Sequence, residues 1–305
     1  MQQNGTETVF CGSTDNGMGH SVTRYFFGFS SRQHLFLEPP VEFKQEGKVW
    51  KLNRCIYGLA DAPRAWYEKV VEELRDLGGV LSRYDQSLFL WHVNGSLDGI
   101  VVLHVDDFIY CGSDSWLVSV VMQIEEKFEV GRQSYNTFKY LGLMVKQNSE
   151  FITVDQQAYT ESLKPLVISA ERARQIDEPL TKNEVAQLKS LSGQILWASS
   201  QTRPDVAYDS CVVGNYGKEP TVRSLLRANK CIQKLQMTSV KLFFPKMRDI
   251  SQVKVLTFAD ASHASLPSGA SQGGLIVFYR MCWQGRSYHV AIQEIGSGGK
   301  ESVSS

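Results

Sequence analysis

The sequence has no excess charge of either sign. Lys plus Arg and Asp plus Glu number 32 each, so the chain as a whole lacks the positive balance that marks a general nucleic-acid binder. It also lacks metal-thiolate spacing. Its six cysteines, Cys11, Cys55, Cys111, Cys211, Cys231 and Cys282, include no Cys-x-x-Cys pair, which argues against a zinc site and against a secreted disulfide framework. A reducing, intracellular setting is expected, in cytoplasm or nucleus. No apolar run reaches the roughly 18 to 20 residues needed to cross a bilayer, and the N-terminal stretch has no basic region followed by an apolar one. Export and membrane insertion are therefore not expected, and no internal repeat suggests a solenoid.

What remains is a chain of 305 residues with 43% hydrophobic content, enough for one large or two ordinary domains with buried cores. Residues 1–20 are rich in Gly, Asn, Thr and Ser without a period and read as a loose leader or as the truncated edge of something larger. A helix is predicted after Asp61, with Pro63 in its first turn, Trp66, Val70, Leu74 and Leu77 on one face, and Gly78-Gly79 at its end. Two short β-favouring runs follow, 100–103 and 108–110, joined through His104-Val105-Asp106-Asp107 as a hairpin. Asp114 is expected to cap a second helix with Leu117, Val121, Ile124 and Phe128 on one face and Gly131 at its stop. Extended segments at 138–145 and 151–154 precede a helix from near Gln156. The order describes an α+β fold in which helices pack on an antiparallel sheet. Residues 179–236 read as mostly helical, broken at Arg203-Pro204 and around 214–220. A further α+β unit is expected from strands at 253–258 and 274–279, separated by a turn with Pro267 and Gly269, and the Gly/Ser-rich residues 296–305 are expected to be disordered.

The chemistry-bearing feature is the pair Asp106-Asp107 at the expected hairpin tip. Adjacent carboxylates concentrate negative charge that a hard cation such as Mg²⁺ can neutralise, and without a cation their mutual repulsion raises one pKa. Two-metal nucleotidyl transfer also needs a carboxylate from another strand. The alternative is ordinary, because Asp is a favoured turn residue and such a pair can simply be solvated.

Flanking blocks bear on that choice. Residues 49–67, with the core Tyr57-Gly58-Leu59-Ala60-Asp61-Ala62-Pro63-Arg64-Ala65-Trp66-Tyr67, resemble the Tyr-Gly-Leu-x-x-Ala-x-Arg-x-Trp-Tyr block of copia-type retrotransposon reverse transcriptases. Val105-Asp106-Asp107 is similar to the family's Tyr-Val-Asp-Asp element, with His104 in the tyrosine's place. Tyr140-Leu141-Gly142 resembles its Leu-Gly turn, and Thr202-Arg203-Pro204-Asp205 its Thr-Arg-Pro-Asp segment. This resemblance covers about residues 35–210. It implies RNA-directed DNA polymerisation, with Asp106 and Asp107 as catalytic, metal-binding carboxylates for Mg²⁺ or Mn²⁺ in a two-metal site. RNA template, DNA primer and dNTPs are the implied partners.

Tyr57, Gly58 and Arg64 would lie by nucleotide and template: Gly58 permits close backbone approach and Arg64 can pair with phosphate. Trp66 is expected in the core. The implied layout is a polymerase palm-like antiparallel sheet with partial fingers at 21–165, a helical thumb/connection region at 166–250 and a partial ribonuclease H-like α/β domain at 251–295.

The pattern breaks upstream. Aligning the strand that carries the family's first catalytic aspartate places Ser21 at that position. Residues 256–262 and 271–274 resemble the opening of the family's ribonuclease H domain, but Asp260 is the only carboxylate that can be placed there, and 281–305 reads as unrelated sequence, so no ribonuclease H activity is expected. Between 220 and 247 there is no acidic residue, and Arg223, Arg227, Lys230 and Lys234 form one helical stripe, which can track a nucleic-acid backbone or serve as a solvated face. Two functional readings stand: a metal-dependent polymerase region, and a catalytically inactive retrotransposon remnant that at most binds nucleic acid.

Overall fold

The computed structural model describes residues 10–14, 36–38, 41–43, 49–51, 59–105, 107–128, 133–216, 219–247, 253–263, 271–283 and 286–298. They fall into two compact units, 1–138 and 139–305. Helices and antiparallel sheets are mixed in the α+β manner expected, and no described helix is long and apolar enough to cross a membrane.

In the first unit the elements are β1 (Phe10–Thr14), β2 (Phe36–Leu37), a 3₁₀ turn (Val41–Phe43), β3 (Trp50–Lys51), α1 (Ala62–Asp76), β4 (Val80–Leu81), β5 (Leu88–Val93), β6 (Ser96–His104), β7 (Asp107–Gly112), α2 (Asp114–Trp116), a π-helical stretch (Leu117–Val121), α3 (Met122–Phe128) and β8 (Gln133–Tyr135). Six strands form one sheet in the order β4-β5-β6-β7-β1-β8. β1 corrects the reading of residues 10–14 as loose. It lies antiparallel between β7 and β8, pairing Phe10 with Gly112 and Gly12 with Tyr135, because its backbone groups complete a ladder that composition alone does not reveal.

α1 starts where Asp61 and Pro63 place it, although Asp61 has helical backbone angles and makes no capping bond with its side chain. Its end is a Schellman motif. Gly78 takes φ +85°, its N–H donates to the Arg75 carbonyl, and the Gly79 N–H donates to Leu74, both at 2.8 Å. The apolar stripe Trp66, Val70, Val71 and Leu74 is buried against Phe89 and Trp91 of β5, Val101 and Leu103 of β6, and Phe108 and Tyr110 of β7. Alternate residues of each strand face this core, as a sheet covered on one face requires. The cap of the second helix is Ser113, whose hydroxyl accepts from the Trp116 N–H at 3.2 Å, rather than Asp114. Val120, Val121 and Ile124 are its buried residues after Trp116, and its expected stop, Gly131, lies outside the described residues.

Two tryptophans occupy space that glycines leave. Trp116 lies over the cross-strand pair Gly99 and Gly112, where an added Cβ would stand 2.1 and 2.3 Å from the indole. Trp91 covers Gly79, where a Cβ would stand 2.6 Å away, and meets Trp116 edge-on at 5.3 Å between centroids.

The second unit begins with a sheet of β9 (Thr137–Tyr140), β10 (Leu143–Gln147), β11 (Phe151–Asp155) and, much later in sequence, β12 (Leu242–Pro245), in the order β12-β11-β10-β9. The expected single extended segment at 138–145 is two strands, because Leu141 and Gly142 take φ +49° and +81° and turn the chain. α4 (Gln157–Ser162), α5 (Ala170–Arg174), α6 (Lys182–Gln201), a 3₁₀ turn (Pro204–Val206), α7 (Ala207–Gly214) and α8 (Val222–Met237) follow, with both breaks where they were predicted. Leu188, Leu191, Ile195 and Ala198 of α6 pack with Val213 of α7 and with Leu225, Ala228, Ile232 and Leu235 of α8.

Polar side chains fix these helices. Arg203, 2% exposed, donates to both Asp205 carboxylate oxygens at 2.8 and 2.9 Å, to the Leu235 carbonyl at 2.9 Å and to the Thr238 hydroxyl at 2.6 Å. It thereby satisfies a carbonyl at the C-terminus of α8, one of the groups a helix end leaves open. Thr181 and Glu184 form a capping box at the start of α6, and Arg172 grips the Glu184 carboxylate at 2.9 and 2.8 Å. The Arg172 guanidinium, with the Thr181 N–H second, pulls the Glu184 carboxyl down to about 2.

β13 (Lys254–Ser262), β14 (Ser271–Trp283) and β15 (Arg286–Gly298) form a three-stranded antiparallel sheet. The strands expected at 253–258 and 274–279 are present as β13 and β14, and one expectation is corrected: residues 296–298 belong to a strand rather than a disordered end, with Gly298 opposite Ser271. The ladder partner supplies the order that the Gly/Ser composition did not suggest.

Three outcomes follow from this packing. Gly99→Ala loses about 1–3 kcal/mol in urea unfolding, because overpacking against Trp116 outweighs the smaller backbone gain of replacing a strand glycine. Arg203→Ala loses about 3–5 kcal/mol by stranding a buried carbonyl and a carboxylate. Glu184 is depressed in the folded state, so its stabilisation is complete above its ordinary carboxylate range and disappears as pH falls toward 2. Glu184→Gln therefore lowers the melting temperature at pH 7 and makes little difference near pH 2.

Candidate active site

The β6–β7 hairpin pairs His104 with Asp107, leaving only Val105 and Asp106 between the paired residues. Asp106 lies outside the described residues, as do Ser21, Tyr57 and Gly58. Asp107 opens β7 and is half-buried, followed inward by the fully buried Phe108. Val105 is exposed and takes φ +55°, a left-handed conformation that a β-branched residue adopts only under constraint. A two-residue hairpin turn calls for such a φ at its first position, and α1 reaches the same residue. Trp66 Nε1 donates to the Val105 carbonyl at 2.5 Å, across 39 positions of sequence.

Trp66 is in the core, as expected: it is 9% exposed and meets Phe128 edge-on at 5.7 Å, while Phe128 lies 5.5 Å from Phe108. Its additional role at the turn was missed from sequence. Tyr67, next to it, donates to the Gln86 carbonyl at 2.8 Å and is partly buried against the same core. Arg64, one turn earlier, is 75% exposed and pairs with Glu68 at 2.9 Å. An exposed pair of this kind contributes little to stability and can exchange its partner for a phosphate. Farther along α1, Glu73 bridges Lys69 and Lys127, and the two ammonium groups, Lys127 foremost, lower its pKa.

Hard oxygen donors are present in the pair Asp106-Asp107, which suits Mg²⁺. Among the described residues no group of three or more His, Cys, Asp and Glu side chains is placed to hold a metal ion. Asp260 is exposed on β13, opposite Gly274, and its carboxylate accepts from the Ala261 N–H at 2.9 Å.

The basic stripe lies along α8, but three of its four cations already have protein partners. Arg223 pairs with Asp177 at 2.6 Å. Arg227 pairs with Asp209 at 3.1 Å and lies over the Tyr208 ring. Lys234 donates to the Asp205 carbonyl at 2.6 Å. Lys230 is exposed. The absence of acidic residues within 220–247 did not reveal these pairings, because the partners come from α7 and the segments before it.

Residues 21–169 match the family described as reverse transcriptase (RNA-dependent DNA polymerase). Over 262 residues the chain is 24% identical to the Ty5-1 transposon protein of Saccharomyces cerevisiae, covering 80% of this chain and 83% of that protein. It is 24% identical over 212 residues to the retrovirus-related Pol polyprotein of transposon TNT 1-94 from Nicotiana tabacum, and 26% identical over 216 residues to that of transposon RE2 from Arabidopsis thaliana. These matches cover 62% and 66% of this chain but only 16% and 15% of the two polyproteins. The quoted sequence blocks, the α1-anchored hairpin and these relatives agree: residues 21–169 carry the reverse-transcriptase region of a copia-type retrotransposon Pol polyprotein.

Proposed function

We propose that the chain is a polymerase palm that binds an RNA template and a DNA primer and holds a divalent cation through Asp106 and Asp107, with nucleotidyl transfer impaired by Ser21. The observation that carries this reading is the hairpin itself, whose turn is fixed to α1 through the tryptophan of the matched block. Mg²⁺, when bound, would polarise phosphoryl oxygens and stabilise the leaving pyrophosphate. The protein's own part would be positional: Asp107 at the start of β7 and its sequence neighbour Asp106 would hold the cation, Tyr57, Gly58 and Arg64 would meet nucleotide and template, and Arg223, Arg227, Lys230 and Lys234 of α8 would meet the nucleic-acid backbone.

On this reading residues 21–165 form the palm and partial fingers, 166–250 the thumb and connection, and 251–295 a ribonuclease H-like remnant in which Asp260 stands without its partner carboxylates. The exchangeable ion pairs of Arg223 and Arg227 make phosphate binding along α8 dependent on salt. The proposed setting is intracellular, in cytoplasm or nucleus. A second reading, an inactive remnant that only binds nucleic acid, is favoured by Ser21: a neutral hydroxyl is a much weaker Mg²⁺ ligand than the carboxylate it replaces.

Primer extension on an RNA template separates the two. The full chain is expected to incorporate dNTPs slowly with Mn²⁺, Asp107→Ala to abolish incorporation, and Ser21→Asp to raise it on the order of a hundredfold, the scale of several kcal/mol of metal-assisted charge stabilisation. Incorporation that survives Asp107→Ala sinks the assignment of the pair. Absence of incorporation from both the wild type and Ser21→Asp leaves the remnant reading in place.

A further inference from the structure

We propose that Trp66 is the positioning residue of the aspartate turn, holding Val105 in its left-handed conformation and so fixing where β7 begins. The case rests on two separate observations. Val105 sits at φ +55°, where a β-branched side chain is strained, and such a conformation persists only if its surroundings impose it. Trp66 provides that restraint: its indole N–H meets the carbonyl of this same residue, while its ring is buried beside Phe128 and cannot follow a moving turn.

Nearby anchors reach other points. Leu103 donates its N–H to Ser87, and Trp91 donates to Leu77. Trp66 thus reaches the strained residue itself. Asp107 stands two residues beyond Val105 and begins the paired strand, so loss of the indole donor lets the turn relax and loosens the start of β7. In this role Trp66 acts through the Val105 backbone.

The metal arm of the test rests on the proposed function, and the exchange arm does not. Trp66→Phe keeps a ring beside Phe128 and removes the donor. Val71→Ala, in the same helix and buried in the same core, is the control for lost stability without a change at the turn. In the full chain, hydrogen exchange of peptides covering residues 103–108 is expected to accelerate about tenfold in Trp66→Phe and to stay at the wild-type rate in Val71→Ala. Mn²⁺ affinity, followed by the signal of the free ion, is expected to fall about tenfold in Trp66→Phe alone, the lower end of what is lost when a residue orienting a ligand is removed.

Wild-type exchange in Trp66→Phe, or equal acceleration in Val71→Ala, overturns the proposal. Wild type that binds no Mn²⁺ overturns the cation reading of the proposed function, and turn exchange then decides the role of Trp66. If Trp66→Phe does not fold, adding Val105→Gly is expected to restore folding, because glycine adopts φ +55° without restraint. Failure of that rescue overturns the proposal as well.

Discussion

Between Gly99 and Gly112 there is no room for a Cβ, because the Trp116 indole fills the space above this cross-strand pair. The first unit is organised around that approach. The indole seats the start of the second helix on β6 and β7, and the Ser113 cap aims the helix as it leaves β7. The opposite end of the same hairpin is held by another tryptophan, Trp66, at the Val105 carbonyl. Base and tip are therefore clamped from two different helices, and the strands between contribute buried Val101, Leu103, Phe108 and Tyr110 to the core. Each such side chain stabilises by about 1.5–3 kcal/mol, and together they outweigh the strain of about 1–3 kcal/mol that a non-glycine residue in the left-handed region carries. The hairpin can thus afford a strained residue at its tip.

The second unit solves a different problem, that of helix ends inside a packed bundle. Arg203 meets it with one guanidinium that joins the Thr-Arg-Pro-Asp segment to the last turn of α8. Asn229 does the same for the connection after α4, accepting from the Leu166 N–H at 2.8 Å and donating to the Leu166 carbonyl at 2.9 Å, and Gln236 donates to Leu163 at 2.7 Å. α8 is consequently polar on surfaces that face protein, and its cations are part of the same economy of contacts. A basic stripe seen on a helical wheel does not distinguish charges waiting for phosphate from charges already satisfied by Asp177 and Asp209.

Legibility followed the range of the interactions involved. α1, the β6–β7 hairpin and the breaks at Arg203-Pro204 and 214–220 were readable because apolar period, glycine and proline act within a few residues. β1 was not, since its place between β7 and β8 is set by pairing with residues about 100 positions away and its sequence, Phe-Cys-Gly-Ser-Thr, carries no alternation worth noting. β15 was hidden in the same way by a Gly/Ser-rich end. At the site the core position of Trp66 was readable from its helical spacing, but its bond to the turn was not, because nothing local in either segment points to the other. Asp114 was mistaken for the cap because Ser113 and Asp114 are both good capping residues, and only the extended backbone of Ser113 decides between them.

The blocks that place this chain among reverse transcriptases do not all bear on the reaction. Trp66 is buried and holds a turn, Leu141-Gly142 reverses the chain with two positive φ angles, and Arg203 ties down α8. Each would be needed by any protein with this architecture, whether or not it polymerises. Of the four, the proposed metal role falls to Asp106-Asp107, and the proposed nucleotide contacts to Tyr57, Gly58 and Arg64 of the first block. Likeness at Trp66, Leu141-Gly142 and Arg203 therefore argues for the fold far more strongly than for turnover, because the contacts these residues make serve a core that is needed for stability alone.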